Sequence, residues 1–210
     1  MPPSTNRLSP ALWAASSTGR VAEVRRLLTD GSDKIEERGG PVPKTTPLFA
    51  AAFRGHAEVV KVFLEHGANA SAKDAYGFTA LHRSAVMGHK EVVVLLLEKG
   101  GADVSAIDAA GMTALHRSSR WGHEEVVRML LDHGADVSVK DNVGETAQDL
   151  ATARSRLQVV AMLKAEPARR EAVRTSRCVA FAMGQHERLG VGTRVRMLDP
   201  GVVRMVLEHV

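Results

Sequence analysis

Short apolar runs recur along the chain, each opened by an acidic residue: Glu58-Val59-Val60, Glu91-Val92-Val93 and Glu124-Glu125-Val126-Val127. Each run predicts a helix whose acidic first turn complements the helix dipole. These helices end at His66-Gly67, Lys99-Gly100 and His133-Gly134. Ahead of each run lies a second helical segment. Thr79 and Thr113 are placed to cap it by accepting from free first-turn amides. Pro47 fits a first-turn position, where a missing N–H is harmless. Gly55, Gly88 and Gly122 then stop that helix. Asp74, Asp108 and Asp141 begin D-x-x-G turns closed by Gly77, Gly111 and Gly144. Each copy therefore reads as helix, turn, helix and hairpin.

The copies align on Thr46, Thr79, Thr113 and Thr146, which are separated by 33, 34 and 33 residues. The additional residue falls in the doublet Gly100-Gly101. A degenerate first copy runs from Leu12 through Gly19 to Leu28, and the loop with Pro41 and Pro43 absorbs an insertion before the second. In the fifth copy Ser155 replaces the glycine, and Leu157 to Leu163 lead to Pro167 instead of a hairpin. One copy cannot bury its apolar face alone, so stacking is obligatory and the end copies must be atypical.

Composition agrees with closely stacked helices. Aromatics are 4% of the 210 residues against 44% hydrophobic, so the core must be built from Ala, Val and Leu. The single cysteine, Cys178, excludes an internal disulfide framework and a Cys-based zinc site. Residues 1–10 lack a basic start followed by an apolar run, and Val92 to Leu97 is far too short to span a bilayer. The expectation is a cytoplasmic or nuclear protein, not a secreted one. The net charge of +4 arises beyond Glu166, where eight Arg face four acidic residues.

The nine histidines do not read as a metal or catalytic site. His82 and His116 share one repeat position; His56, His89 and His123 share a second; His66 and His133 share a third. Ligands must converge on a point, whereas equivalent residues form rows. These imidazoles are expected to bond to neighbouring backbone, tying hairpins to helices. H-E-x-x-H, G-x-S-x-G and P-loop patterns are missing, so no cofactor and no catalytic residues are expected.

The motifs T-A-L-H, G-H-x-E-V-V, L-L-x-x-G-A-D-V and D-x-x-G resemble those of ankyrin repeats over about residues 9–166. The resemblance implies an all-α ankyrin-repeat solenoid of about five repeats, each helix–turn–helix plus a β-hairpin loop. A flexible N-terminus (1–8) precedes it and a basic helical extension (167–210) follows. Ser71, Ser105 and Ser138 stand where some ankyrin repeats carry a hydroxylated Asn, so that modification is not expected.

By the same resemblance, a partner protein binds along a concave surface of hairpin tips and first helices. Residue-by-residue alignment places Phe53, Arg54, Tyr76, Phe78, Met87, Met112, Arg120, Trp121 and Arg154 there. The set holds the only Tyr and one of two Trp. Aromatics and Arg dominate interface hot spots, because they bury much area with few rotors to freeze. Padding of the seams between repeats is the competing role for Phe53, Phe78 and Met112. The expected protein is a monomeric adaptor or scaffold.

In the tail, Ala168 to Met183 reads as a helix, with Gly184, Gly190 and Gly192 marking a loop. Asp199 and Pro200 open a last helix with Val202, Val203, Val206 and Leu207 on one face. That face either folds back on the repeats or docks on another protein as a second interface. Leu198 to Leu207 resembles the start of an F-box, which implies a substrate-recognition subunit of a ubiquitin ligase. It departs from that pattern at Asp199-Pro200. The eight tail arginines also permit nucleic-acid or anionic-surface binding, although Phe181 alone offers base stacking.

Overall fold

The computed structural model describes residues 10–29, 35–36, 39 and 45–188, the last fifteen of these (174–188) and residue 10 by backbone alone. The chain divides into two units, Met1–Glu166 and Pro167–Val210. In the first unit, helices come in antiparallel pairs: α1 (Pro10–Ser17) with α2 (Val21–Thr29), and α3 (Pro47–Arg54) with α4 (Ala57–Glu65). Then follow α5 (Ala80–Met87) with α6 (Lys90–Glu98), and α7 (Ala114–Trp121) with α8 (Glu124–Asp132). The fifth pair opens with α9 (Ala147–Ala153) and continues into α10 (Leu157–Arg188). The odd helices stack as one layer, α1 on α3 on α5 on α7 on α9, and α2, α4, α6 and α8 stack as a second. The result is an all-α solenoid of five helix pairs among the described residues.

Small side chains set the spacing between the layers. Ala51, Ala52, Ala85, Ala114, Ala147 and Ala151 are all buried at the seams, beside Leu48, Leu81 and Leu115. The acidic-opened runs supply the other side of the core: Val59, Val60, Val92, Val93, Val126 and Val127 are no more than 1% exposed. Phe63 is the one aromatic hydrophobe among the largest fully buried side chains of the described residues.

The threonines cap as expected. Thr46, Thr79, Thr113 and Thr146 each accept from the backbone N–H three residues on. In three of them the third residue reaches back to the cap N–H, closing a capping box through His82, His116 or Asp149. The expected β-hairpins are tighter than strands. Each is a turn closed by two backbone bonds, one from the amides of Asp74, Asp108 and Asp141 to the carbonyls of Phe78, Met112 and Glu145, the other from the amides of Gly77, Gly111 and Gly144 to the carbonyls of those aspartates. Four residues of turn leave no length for a ladder, and only isolated bridges at Gly39 with Thr45 and Lys140 with Thr146 occur among the described residues.

Pro167 does not stop its helix; α10 carries it inside. Gly184, expected in a loop, is helical as well. Proline removes one N–H donor and crowds the preceding turn, yet a single lost bond does not end a long helix. Residues 202, 203, 206 and 207, and with them the F-box-like segment, lie outside the described residues.

Candidate functional site

Two rows of polar side chains run across the repeats and organise the face formed by the odd helices and hairpin tips. The first is the histidine row. His82 and His116 are buried, and Nδ1 of each accepts from the Thr79 or Thr113 N–H at 3.2 Å. Nδ1 therefore carries no proton, and Nε2–H of His82 donates to the Met112 carbonyl of the next repeat at 3.0 Å. The Glu145 backbone holds the corresponding place near His116, close enough to raise its pKa but outside hydrogen-bond geometry. Nε2 of His56, His89 and His123 lies 2.8–3.1 Å from the carbonyls of Ser17, Phe53 and Val86 in the preceding repeat. His56, His82, His89 and His123 thus stitch neighbouring repeats, whereas His66 and His133 bond to the Val62 and Met129 carbonyls of their own helices.

Burial pushes the pKa of His82 and of His116 below the ordinary value of 6.5, against smaller upward pulls from the Met112 and Glu145 backbones. The folded state therefore favours neutral imidazole, and protonating Nδ1 would set an N–H against the Thr N–H of the capping box. A group with a depressed folded pKa of this kind takes up protons preferentially when unfolded. Stability is expected to be level above about pH 6.5 and to fall as the pH drops through that value. Melting temperatures between pH 8 and pH 5 check this, and replacing both histidines by asparagine should flatten the profile.

The second row is formed by arginines. Arg83 and Arg117, the residues after the two histidines, turn back onto their own hairpins. Nη2 of Arg83 donates to Oδ2 of Asp74 at 3.2 Å. Nε and Nη2 of Arg117 both donate to Oδ2 of Asp108, at 2.8 and 2.6 Å. Both guanidiniums also lie on the Phe78 ring, 4.0 and 4.7 Å from its centroid, and Arg83 is 5.5 Å from that of Phe49. Reasoning from the repeat pattern missed this row, although a fixed nine-residue offset, Asp74 to Arg83 and Asp108 to Arg117, signals it. In the fifth repeat the offset falls on Leu150, and Oδ2 of Asp141 has no hydrogen-bond partner among the described residues.

This row decides which of the expected contact residues remain free. Phe78 is half-buried beneath the two guanidiniums, and Phe53 is half-buried with Arg54 and Arg83 at its ring. Met112 is 8% exposed and packs within the stack. Tyr76, Met87 and Trp121 are 56%, 45% and 51% exposed. Arg54 and Arg154 are exposed and Arg120 is half-exposed. Arg54, Met87, Trp121 and Arg154 hold equivalent places at the ends of α3, α5, α7 and α9, so stacking sets them in one row.

Among the described residues, no three His, Cys, Asp or Glu side chains converge as metal ligands, and no helix is long and apolar enough to cross a membrane.

Residues 11–108 match the family description of ankyrin repeats as three copies, and residues 110–142 match a further ankyrin repeat. The chain is 37% identical over 95 residues to transient receptor potential cation channel subfamily A member 1 of Homo sapiens. It is 37% identical over 91 residues to palmitoyltransferase AKR1 of Lachancea kluyveri. It is 33% identical over 96 residues to serine/threonine-protein kinase VIK of Arabidopsis thaliana. These stretches are 45%, 43% and 46% of this chain but only 8%, 12% and 21% of the relatives. The chain belongs to the ankyrin-repeat family, whose repeats generally act as non-enzymatic modules of protein–protein interaction.

Proposed function

We propose that this protein is an adaptor or scaffold that holds a partner protein on the face formed by its odd helices and hairpin tips. The observation that carries the reading is the exposure of Tyr76, Met87 and Trp121 on adjacent repeats of an aromatic-poor chain. Nothing in the packing requires a large apolar side chain at these places. A Trp left half in water is unfavourable for an isolated monomer and favourable for a docking surface. Arg54, Arg120 and Arg154 flank the apolar side chains with donors for polar contacts. Phe53 and Phe78 serve the site from beneath, by holding Arg83 in place.

The test is affinity purification of partners with the full chain and with Trp121→Ala, followed by titration of the captured protein. Trp121→Ala is expected to weaken binding by about 2 kcal/mol, ~30-fold, as removal of a buried aromatic anchor does. Its melting temperature should stay unchanged, since half of the side chain is already in solvent. An unaltered affinity would place the partner elsewhere on the protein.

A further inference from the structure

The helices of the two layers carry opposite charge in the second, third and fourth repeats. Helices α3, α5 and α7 contain Arg54, Arg83, Arg117 and Arg120 and no acidic residue. Their outer counterparts α4, α6 and α8 contain more acidic than basic residues. Arg83 and Arg117 are already neutralised by Asp74 and Asp108. Asp149, on α9, is turned to its own cap, where it accepts from the Thr146 N–H and hydroxyl. The uncompensated cations of the odd-helix face are therefore Arg54, Arg120 and Arg154, which form no ion pair among the described residues.

Order along the stack adds more. The row at the helix ends reads Arg54, Met87, Trp121, Arg154: cation, apolar, aromatic, cation. Packed helices lie about 8–10 Å apart, so three steps separate the two terminal arginines by roughly 27 Å. An extended chain rises about 3.3 Å per residue and covers that span in about eight or nine residues.

From this row we infer that the partner is an acidic, extended peptide segment. It carries two carboxylates about eight or nine residues apart, which pair with Arg54 and Arg154. Two apolar side chains between them rest on Met87 and Trp121. The inference rests on the docking face proposed above. A protein segment fits the face better than a nucleic acid does. Three free arginines suit a few carboxylates, whereas specific nucleic-acid binders neutralise roughly six to ten phosphates.

A library of random peptides of about 16 residues displayed on phage, selected on the immobilised full chain, tests the inference without knowledge of the natural partner; that length spans the row with margin. Selected peptides are synthesised with a fluorophore and titrated. The expected result is enrichment of paired Asp or Glu at that spacing around apolar residues. Affinity for the unaltered chain should fall with added salt, and it should fall at least ~10-fold in Arg54→Glu/Arg154→Glu, as reversal of two interface charges does. If selected peptides lack the acidic pair, or bind the charge-reversed variant unchanged yet lose affinity to Trp121→Ala, the docking face stands and the acidic partner is wrong. If no selected peptide depends on Trp121, the docking face itself is wrong and the inference falls with it. If an oligothymidylate of about 20 nucleotides displaces the peptides at equal concentration, the anionic partner is a nucleic acid and the peptide assignment is overturned.

Discussion

Asp108→Ala is expected to destabilise the repeat stack by about 3–5 kcal/mol, the usual penalty for removing one partner of a buried ion pair. The Asp108 side chain is fully buried and satisfies several donors at once. Oδ1 accepts from the Ala110 and Met112 amides at 2.8 and 3.2 Å and so shapes the hairpin. Oδ2 takes two bonds from Arg117. Alanine leaves the amides without their acceptor and strands a mostly buried guanidinium on Phe78. At about 2–4 °C per kcal/mol for a chain of this size, the melting temperature should fall by roughly 6–20 °C.

Repetition supplies the control. Oδ1 of Asp141 accepts the same two hairpin amides, those of Val143 and Glu145, at 3.0 and 2.9 Å, but its Oδ2 holds no arginine. Asp141→Ala should cost less, about 1–2 kcal/mol, because hydrogen bonds are lost and no charge is stranded. Asp108→Asn should fall between the two, keeping one acceptor for the amides while losing the charge. Urea titrations of the three variants measure the order. Equal losses at Asp108 and Asp141 would mean that the arginine row contributes nothing.

Period and punctuation make most of the fold legible. Thr79, Gly88 and Asp74 are local signals, each read from the backbone group it satisfies or the dihedral it permits. Their recurrence at one interval makes stacking a necessity. The arginine row is harder to see because its meaning is tertiary. Arg83 follows His82 in a helix and reads as a solvated charge until the hairpin folds back to bring Asp74 to it. That contact also changes the site, since it occupies Phe78 and Phe53 from one side. Met112 aligns with Phe78 in the repeat, yet it is 8% exposed where Phe78 is only half-buried. Burial of a seam residue depends on its neighbour's side chains, which a repeat pattern does not encode. Pro167 errs in the opposite sense: a local helix breaker is outweighed by the helical residues on both sides.

Gly88→Ala should cost about 2–3 kcal/mol, although it adds one methyl group to a surface turn. Gly88 ends α5 at φ 74°, in the left-handed region, where a Cβ costs roughly 1–2 kcal/mol. A Cβ there would also stand 2.6 Å from Nδ1 of His123, which closes over the glycine from the next repeat. Relieving that clash moves the ring and breaks its 2.8 Å bond to the Val86 carbonyl, a further loss of about 1 kcal/mol. Gly134 separates the two effects. It has φ 89°, and a methyl added there would meet nothing within 4 Å, so Gly134→Ala should cost the strain alone. Position 155 shows why the glycine belongs to the seam between repeats. Ser155 adopts φ 55° with a full side chain, and it is exposed, so no imidazole closes over it. Ser155→Gly should recover up to about 1 kcal/mol of left-handed strain, offset by the greater freedom of glycine in the unfolded chain. If Gly88→Ala and Gly134→Ala melt alike, His123 yields without loss, and the histidine row is not what binds one repeat to the next.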